Sequence, residues 1–270
     1  MPLLASSITC VSGTCTGPTG TYYVTDGLNN YLAIIQGLNV AVKPTGPATN
    51  GPLDNQFAIA VTGTVDIQSR FAGGTGAQYD LAGNPTGVLY PQAAEYEFAD
   101  DGTTDGTHNY FMLYSANLVF QAGLDWSNPT PVFGVGGGAA LGITYDPANS
   151  SFWVNDLNDN GVADYSPSGV LLSSFNGVGT VGHSSLAYDA SDGTLWMNVS
   201  YTNEFQQYTT GGVLLQDLIY NDLSAGALND LVGQPYFLGG EIAATPEPGT
   251  LMLLSSGFGG LLLKLRRRKV

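Results

Sequence analysis

Tyr145-Asp146, Trp153, Asn155, Asn160, Tyr165 and Gly169-Val170-Leu171-Leu172 form a pattern that the chain then repeats. The echo is Tyr188-Asp189, Trp196, Asn198, Asn203, Tyr208 and Gly212-Val213-Leu214-Leu215. Every pair is 43 residues apart, with no gap, so ten identities stay in register. A period of 40–45 residues is the length of one four-stranded propeller blade.

Each unit parses as four short strands. The first is expected at 141–146, the second at 151–156 around Trp153, the third at 162–166 and the fourth at 170–175. Asn160-Gly161 reads as a primed hairpin turn, and Pro167-Ser168-Gly169 as the turn that follows. Looser copies precede this pair. Gln78-Tyr79-Asp80 through Gly87-Val88-Leu89 resembles the step from third to fourth strand, and 95–98, 109–114 and 117–121 read as strands of another blade. From Thr21 to Ala243 the chain is rich in Tyr, Val, Thr, Gly and Asn, with alternation and turn residues but no helical period. Divided by the repeat, that span holds about five blades. The expected fold is all-β and propeller-like, with a β-sandwich or β-solenoid as second choice.

The pattern of Tyr-Asp, aromatic-Val and Ser-Gly-x-Leu-Leu resembles the broad class of NHL-like propellers, clearly over 141–217 and faintly elsewhere. The resemblance implies the fold and little about activity. Trp153, Trp196, Tyr145 and Tyr188 are expected to pack between blades, since a side chain repeated in each unit serves the core.

The charge is divided along the chain. There are 7 Lys+Arg and 22 Asp+Glu, and Lys264, Arg266, Arg267, Arg268 and Lys269 fall in the last seven positions. Only Lys43 and Arg70 face the acids of the rest. Such an acidic body repels phosphate backbones, which disfavours nucleic acid as a partner. Residues 249–263 carry no charge, and seven leucines lie within 251–265. They predict one C-terminal transmembrane helix of ~22 Å, extended by Lys264 snorkelling to the headgroups. The five cations form its cytoplasmic stop, with the body on the other side. Pro246-Glu247-Pro248 sets a stiff extended collar just before it.

This order of Pro-Glu-Pro, apolar run and Arg cluster resembles the PEP-CTERM sorting signal of bacterial exosortase substrates. The resemblance implies export, recognition and cleavage by a membrane-embedded exosortase, and delivery to the cell surface or extracellular matrix, often beside exopolysaccharide. Glu247 is then a recognition residue. Three regions follow: an N-terminal segment 1–20, an all-β body 21–243 and a sorting region 244–270.

The start, Met1-Pro2-Leu3-Leu4-Ala5-Ser6-Ser7, lacks the basic and apolar parts of a signal peptide. It reads as the remnant of one whose start lies upstream. Cys10 and Cys15 are the only cysteines and are spaced to close a small disulfide loop in an oxidising compartment.

Signals for chemistry are sparse. Asp156, Asn158, Asn160 and Asp164 stand at positions 1, 3, 5 and 9 of an EF-hand-like loop with Gly161 at 6, a pattern suited to calcium. Position 12 is Pro167, not Glu, and the repeat makes the segment an ordinary hairpin, which is the favoured reading. A weaker acidic cluster spans Asp100, Asp101 and Asp105. His108 and His183 read as surface residues, and His183-Ser184-Ser185 with Asp189 lacks the geometry of a triad. Gly134 through Ala139 partly matches a dinucleotide fingerprint, but strand-like residues follow, so it reads as an inter-blade connection. No catalytic residue and no required cofactor are expected. The expected function is a non-enzymatic binding or structural protein, partnered by exosortase, the membrane, and exopolysaccharide or another surface protein. The rivals are a metal-dependent propeller enzyme of lactonase or lyase type, with acids from several blades on the channel, and a protein-interaction platform.

Overall fold

A computed structural model describes residues 4–5, 7–45, 55–71, 74–91, 93–180, 182–230 and 232–243. The strands are β1 (Leu4–Ala5), β2 (Ile8–Gly13), β3 (Thr21–Asp26), β4 (Tyr31–Gln36), β5 (Asn39–Pro44), β6 (Gln56–Val61), β7 (Val65–Ser69), β8 (Thr75–Tyr79), β9 (Pro85–Pro91), β10 (Ala99–Thr104) and β11 (Asn109–Leu113). They continue as β12 (Leu118–Ala122), β13 (Thr130–Gly134), β14 (Ala140–Asp146), β15 (Ser151–Asp156), β16 (Gly161–Tyr165), β17 (Leu171–Asn176), β18 (His183–Asp189), β19 (Thr194–Val199), β20 (Glu204–Thr209), β21 (Leu214–Tyr220) and β22 (Phe237–Ala243).

They form five antiparallel sheets, the blades of a propeller. Blade I is β1-β5-β4-β3-β22, blade II β6 to β9, blade III β10 to β13, blade IV β14 to β17, and blade V β18 to β21 with β2 added. The innermost strands are β22, β6, β10, β14 and β18. The ring is closed by β22, the last described strand, pairing with β3 from the first third of the chain. The N-terminal segment adds a second clasp, because β2 pairs with the outer strand β21. Two blades therefore have five strands, which corrects the expectation of a uniform four. The extra strands cover outer edges that would otherwise expose unpaired N–H and C=O groups.

The 43-residue period extends through all five blades in conformation. The centre of each second strand holds Val24, Ile67, Tyr110, Trp153 or Trp196, and all five are buried. They wedge between neighbouring sheets. Trp153 packs with Leu186, Tyr188, Leu195, Met197 and Tyr208 of blade V. Trp196 packs with Tyr22, Val24, Phe237 and Ile242 of blade I. The turn after each third strand of blades II to V needs a positive φ, met by Gly83, Trp126, Gly169 and Gly212 at 77°, 59°, 79° and 82°.

Some details differ from the sequence reading. Residues 94–96 form a short 3-10 turn rather than a strand, and β10 starts at Ala99. Asn160 takes φ 58° but Gly161 does not have positive φ, so the hairpin before β16 is not a primed two-residue turn. The expected span over 249–265 lies outside the described residues. Among the described residues no helix is long and apolar enough to cross a membrane.

Candidate functional site

Each innermost strand carries a bulge where it pairs with its neighbour. The register slips between Gln56 and Ala58, Ala99 and Asp101, Ala140 and Ile143, Ser184 and Ala187, and Phe237 and Gly239. A bulge frees backbone groups from the ladder and turns them aside. Here they turn into the central channel, where a buried carboxylate collects them. Asp101 Oδ1 accepts the N–H of Gly102 and of Gly240, each at 2.8 Å. Its Oδ2 accepts from Ile143 at 3.1 Å and Leu186 at 3.2 Å. Blades I, III, IV and V thus meet at one side chain. Burial pushes the Asp101 carboxyl up, and those N–H donors pull it back.

Above this hub, at the end where the innermost strands begin, the loops between second and third strands converge. Each brings one half-buried apolar or aromatic residue: Leu28, Phe71, Tyr114 and Leu157, spaced by the repeat, and Tyr201, one position beyond it. Leu28, Tyr114, Leu157 and Tyr236 pack on a floor of Phe57, Leu141 and Leu238. Tyr236 meets Tyr201 at 5.2 Å and Phe57 at 6.1 Å between ring centroids. Blade III breaks the apolar floor with Asp100. Arg70 Nε lies 2.6 Å from Asp100 Oδ1, with the two side chains 10% and 1% exposed. The approach is ionic rather than a well-aligned hydrogen bond. The guanidinium sits over Phe57, Phe71 and Phe98 at 5.3, 5.2 and 5.5 Å, a three-sided aromatic cage. Burial pushes the Asp100 carboxyl up to about 7, while Arg70 draws it down. Burial and the neighbouring Tyr236 push Tyr201 up to about 12. This upper mouth offers flat aromatic faces around one fixed cation.

The opposite end of the channel opens into a cavity of 390 Å³, lined by Tyr145, Tyr188, Glu241, Asp105, Val61 and Ile242 among others. The repeated tyrosines thus serve both the inter-blade core and this cavity wall.

The two acids of the calcium-type loop, Asp156 and Asp164, have separate partners. Asp156 Oδ2 accepts the N–H groups of Gly138 and Ala139, and its Oδ1 that of Asn158, so it clasps the connection between blades III and IV. Asn160 Nδ2 donates to the Gly179 carbonyl. Asp164 lies about 10 Å further along β16, where Asn149 Nδ2 donates to it. Among the described residues no three Asp, Glu, His or Cys side chains form a metal-ligating group. Cys10 and Cys15 are joined as a disulfide in the β2 region. Pro246, Glu247, Pro248 and the basic residues 264–269 lie outside the described residues. His183 is buried, not on the surface. It starts an innermost strand, and its Nε2 pairs with Gln206 Oε1 at 3.0 Å. Ser184 and Ser185 instead donate to the Phe237 and Gly239 carbonyls of β22. Residues 135–139 do connect blades III and IV. Sequence reasoning missed Arg70, Asp100 and Asp101 as a central group. The signal available was the position of the body's one arginine, a repeat before Leu113.

These features define a five-bladed β-propeller with an aromatic upper mouth. No family model and no curated protein matches the chain. Among solved structures, the chain is similar in fold to one in a nidogen/laminin complex, at 13% identity and TM-score 0.53, over 82% of this chain and 97% of that one. A Bacteroides thetaiotaomicron protein of unknown function shares 14% identity at TM-score 0.51, over 81% and 68%. Virginiamycin B lyase from Staphylococcus aureus shares 15% at TM-score 0.47, over 78% and 72%.

Proposed function

We propose that this chain is an exported, surface-displayed or matrix-associated binding protein without enzymatic activity. Its upper mouth receives carbohydrate, such as exopolysaccharide, and its residues 246–270 act as an exosortase sorting signal. The observation that carries the binding half is the convergence of Phe71, Tyr114, Tyr201 and Tyr236 on one face, around Arg70. Sugar rings present C–H faces that stack on aromatic rings, and hydroxyl groups that accept from a fixed guanidinium. The acidic body and the Cys10–Cys15 disulfide suit a compartment outside the cytosol. The sorting half rests on the succession of Pro-Glu-Pro, apolar run and basic cluster in the C-terminal sequence.

The test has two arms. Binding of purified bacterial exopolysaccharide is measured for the wild type, Tyr201→Ala and Tyr236→Ala; affinity equal in all three overturns the carbohydrate reading. Cells expressing the chain with and without 246–270 are fractionated; equal release of both forms into the medium overturns the sorting reading.

A further inference from the structure

The lower side of the propeller, where the innermost strands finish, carries a second repeated pattern. In each blade the turn between the third and fourth strands lies at its outer margin. Leu38, Leu81 and Leu124 stand in those turns at intervals of 43 residues, and Val170 and Val213 keep the same interval in blades IV and V. All five are exposed, by 38% to 60%. Single apolar residues on a surface are ordinary. Five at equivalent places on one side, one from every blade, form a ring that calls for a partner.

Each of these turns is anchored. Tyr220 Oη of blade V donates to the Gly37 carbonyl at 2.8 Å, and Tyr23 Oη of blade I to the Leu81 carbonyl at 2.9 Å. Tyr96 Oη donates to the Trp126 carbonyl. Gly169 and Gly212 lie against Phe133 and Phe175 of the preceding blade. The polar groups of the turns are also engaged locally. The N–H groups of Asp80, Ser166 and Thr209 donate to the carbonyls of Asn84, Val170 and Val213, each at 2.9 Å. Asp80 Oδ1 accepts from the Ala82 and Asn84 N–H groups, and Asp125 Oδ1 from that of Ser127. Backbone paired in this way loses little where water is displaced.

The course of the chain points to what meets the ring. β22 runs toward the lower side and ends at Ala243. Five residues, 244–248, separate it from the uncharged apolar run 249–263. Fully extended, that link reaches no further than roughly 22 Å. A run that enters a bilayer therefore holds the lower side, not the upper mouth, near the lipid. We propose that the lower ring rests on a zwitterionic phospholipid surface, with Leu38, Leu81, Leu124, Val170 and Val213 dipping into the interface around the tail. The acids of the body repel an anionic surface, which selects neutral headgroups. The tail keeps the five weak anchors close to the lipid, so they act together. The contact depends on 249–263 being a membrane segment, as the sorting reading holds. It leaves the aromatic mouth facing outward, open to carbohydrate.

The test uses the full chain reconstituted with phosphatidylcholine vesicles whose acyl chains carry bromine near the headgroup. Flotation after a carbonate wash reports whether the tail inserts. Bromine quenching of tryptophan reports which side meets the lipid. Trp126, Trp153 and Trp196 are buried and supply a constant background. Val170→Trp and Val213→Trp probe the ring. Val178→Trp is the control, because Val178 is comparably exposed, at 55%, on the upper connection between blades IV and V. All three sites are on the surface, so the core is untouched. The expected result is a chain that floats, with most of the added fluorescence lost at the two ring positions and kept at the control. A floating chain quenched equally at all three positions, or at none, overturns the contact and leaves the membrane segment standing. A chain that does not float overturns both. Ring positions shielded from brominated lipid and from aqueous acrylamide alike would place a second copy there and overturn the lipid assignment.

Discussion

The Asp101 carboxylate accepts the backbone N–H of Leu186 at 3.2 Å, although the two residues are 85 positions apart and two blades removed. With Ile143, Gly240 and Gly102 as further donors, a single side chain ties four blades at the axis. The inward bulges that free these N–H groups would otherwise leave buried donors without acceptors, at about 1–3 kcal/mol each. Asp101→Asn keeps the shape but turns an NH₂ toward N–H groups. The expected loss is at least about 3 kcal/mol, measured by urea denaturation. A midpoint equal to the wild type would mean that the four donors have other acceptors.

The buried acids set the direction of the pH dependence. Burial pushes Asp100 up to about 7 despite Arg70, and pushes Glu241 well above the usual carboxylate range. An acid raised in the folded state keeps a proton that the unfolded chain has already released. Stability is therefore full below the unfolded pKa, near 4, and is lost as pH rises through the folded value. The melting temperature should be higher at pH 5 than at pH 8, by an amount reflecting a few kcal/mol. Asp100→Asn should flatten that slope. A melting temperature that rises from pH 5 to pH 8 would contradict the assignment.

The 43-residue repeat was legible in blades IV and V because both use the same residues for the same tasks. Elsewhere the tasks persist while the residues change. Val24, Ile67 and Tyr110 fill the wedge position held by Trp153 and Trp196, so identity fades although burial does not. Trp126 adopts the positive φ that glycine takes in blades II, IV and V, which hides the turn of blade III. The upper mouth was illegible for the same reason, since Leu28, Phe71, Tyr114, Leu157 and Tyr201 share a place and not a residue type. His183 read as a surface residue because a polar residue beginning an innermost strand differs in no local way from one on an edge. Ring closure is a pairing across almost the whole chain, and no local pattern encodes it.

The turn glycines offer a direct check on the shared blade geometry. A Cβ at Gly212 would meet Phe175 Cβ at 2.6 Å, and one at Gly169 would meet Phe133 Cβ at 2.7 Å. Both positions also have positive φ. Strain and clash act together, so Gly212→Ala and Gly169→Ala should each cost about 1–3 kcal/mol. Gly87 also has positive φ but has open space around it, so Gly87→Ala should cost about 1 kcal/mol or less. Thermal melts of the three variants would show the order, and equal losses would mean that the contact with the preceding blade's phenylalanine is slack.

The two clasps of the ring should differ sharply in what they hold. β22 is buried and lies on the axis: its Gly240 donates to Asp101, its Phe237 packs with Trp196, and its Glu241 lines the lower cavity. β2 is an exposed outer strand whose disulfide joins residues five apart. Closing so short a loop restricts the unfolded chain little, so Cys10→Ser with Cys15→Ser should cost about 2 kcal/mol or less and leave the ring folded. Amide exchange should show β22 exchanging only with global unfolding, whereas β2 opens locally at lower free energy. Disrupting the axis with Gly240→Val should unfold the propeller, because a side chain there would meet Tyr22 Oη and the Ser185 carbonyl oxygen, each at 2.8 Å from its Cβ. If β2 and β22 exchange at the same rate, or if Gly240→Val melts like the cysteine variant, the closure does not rest on the axial strand.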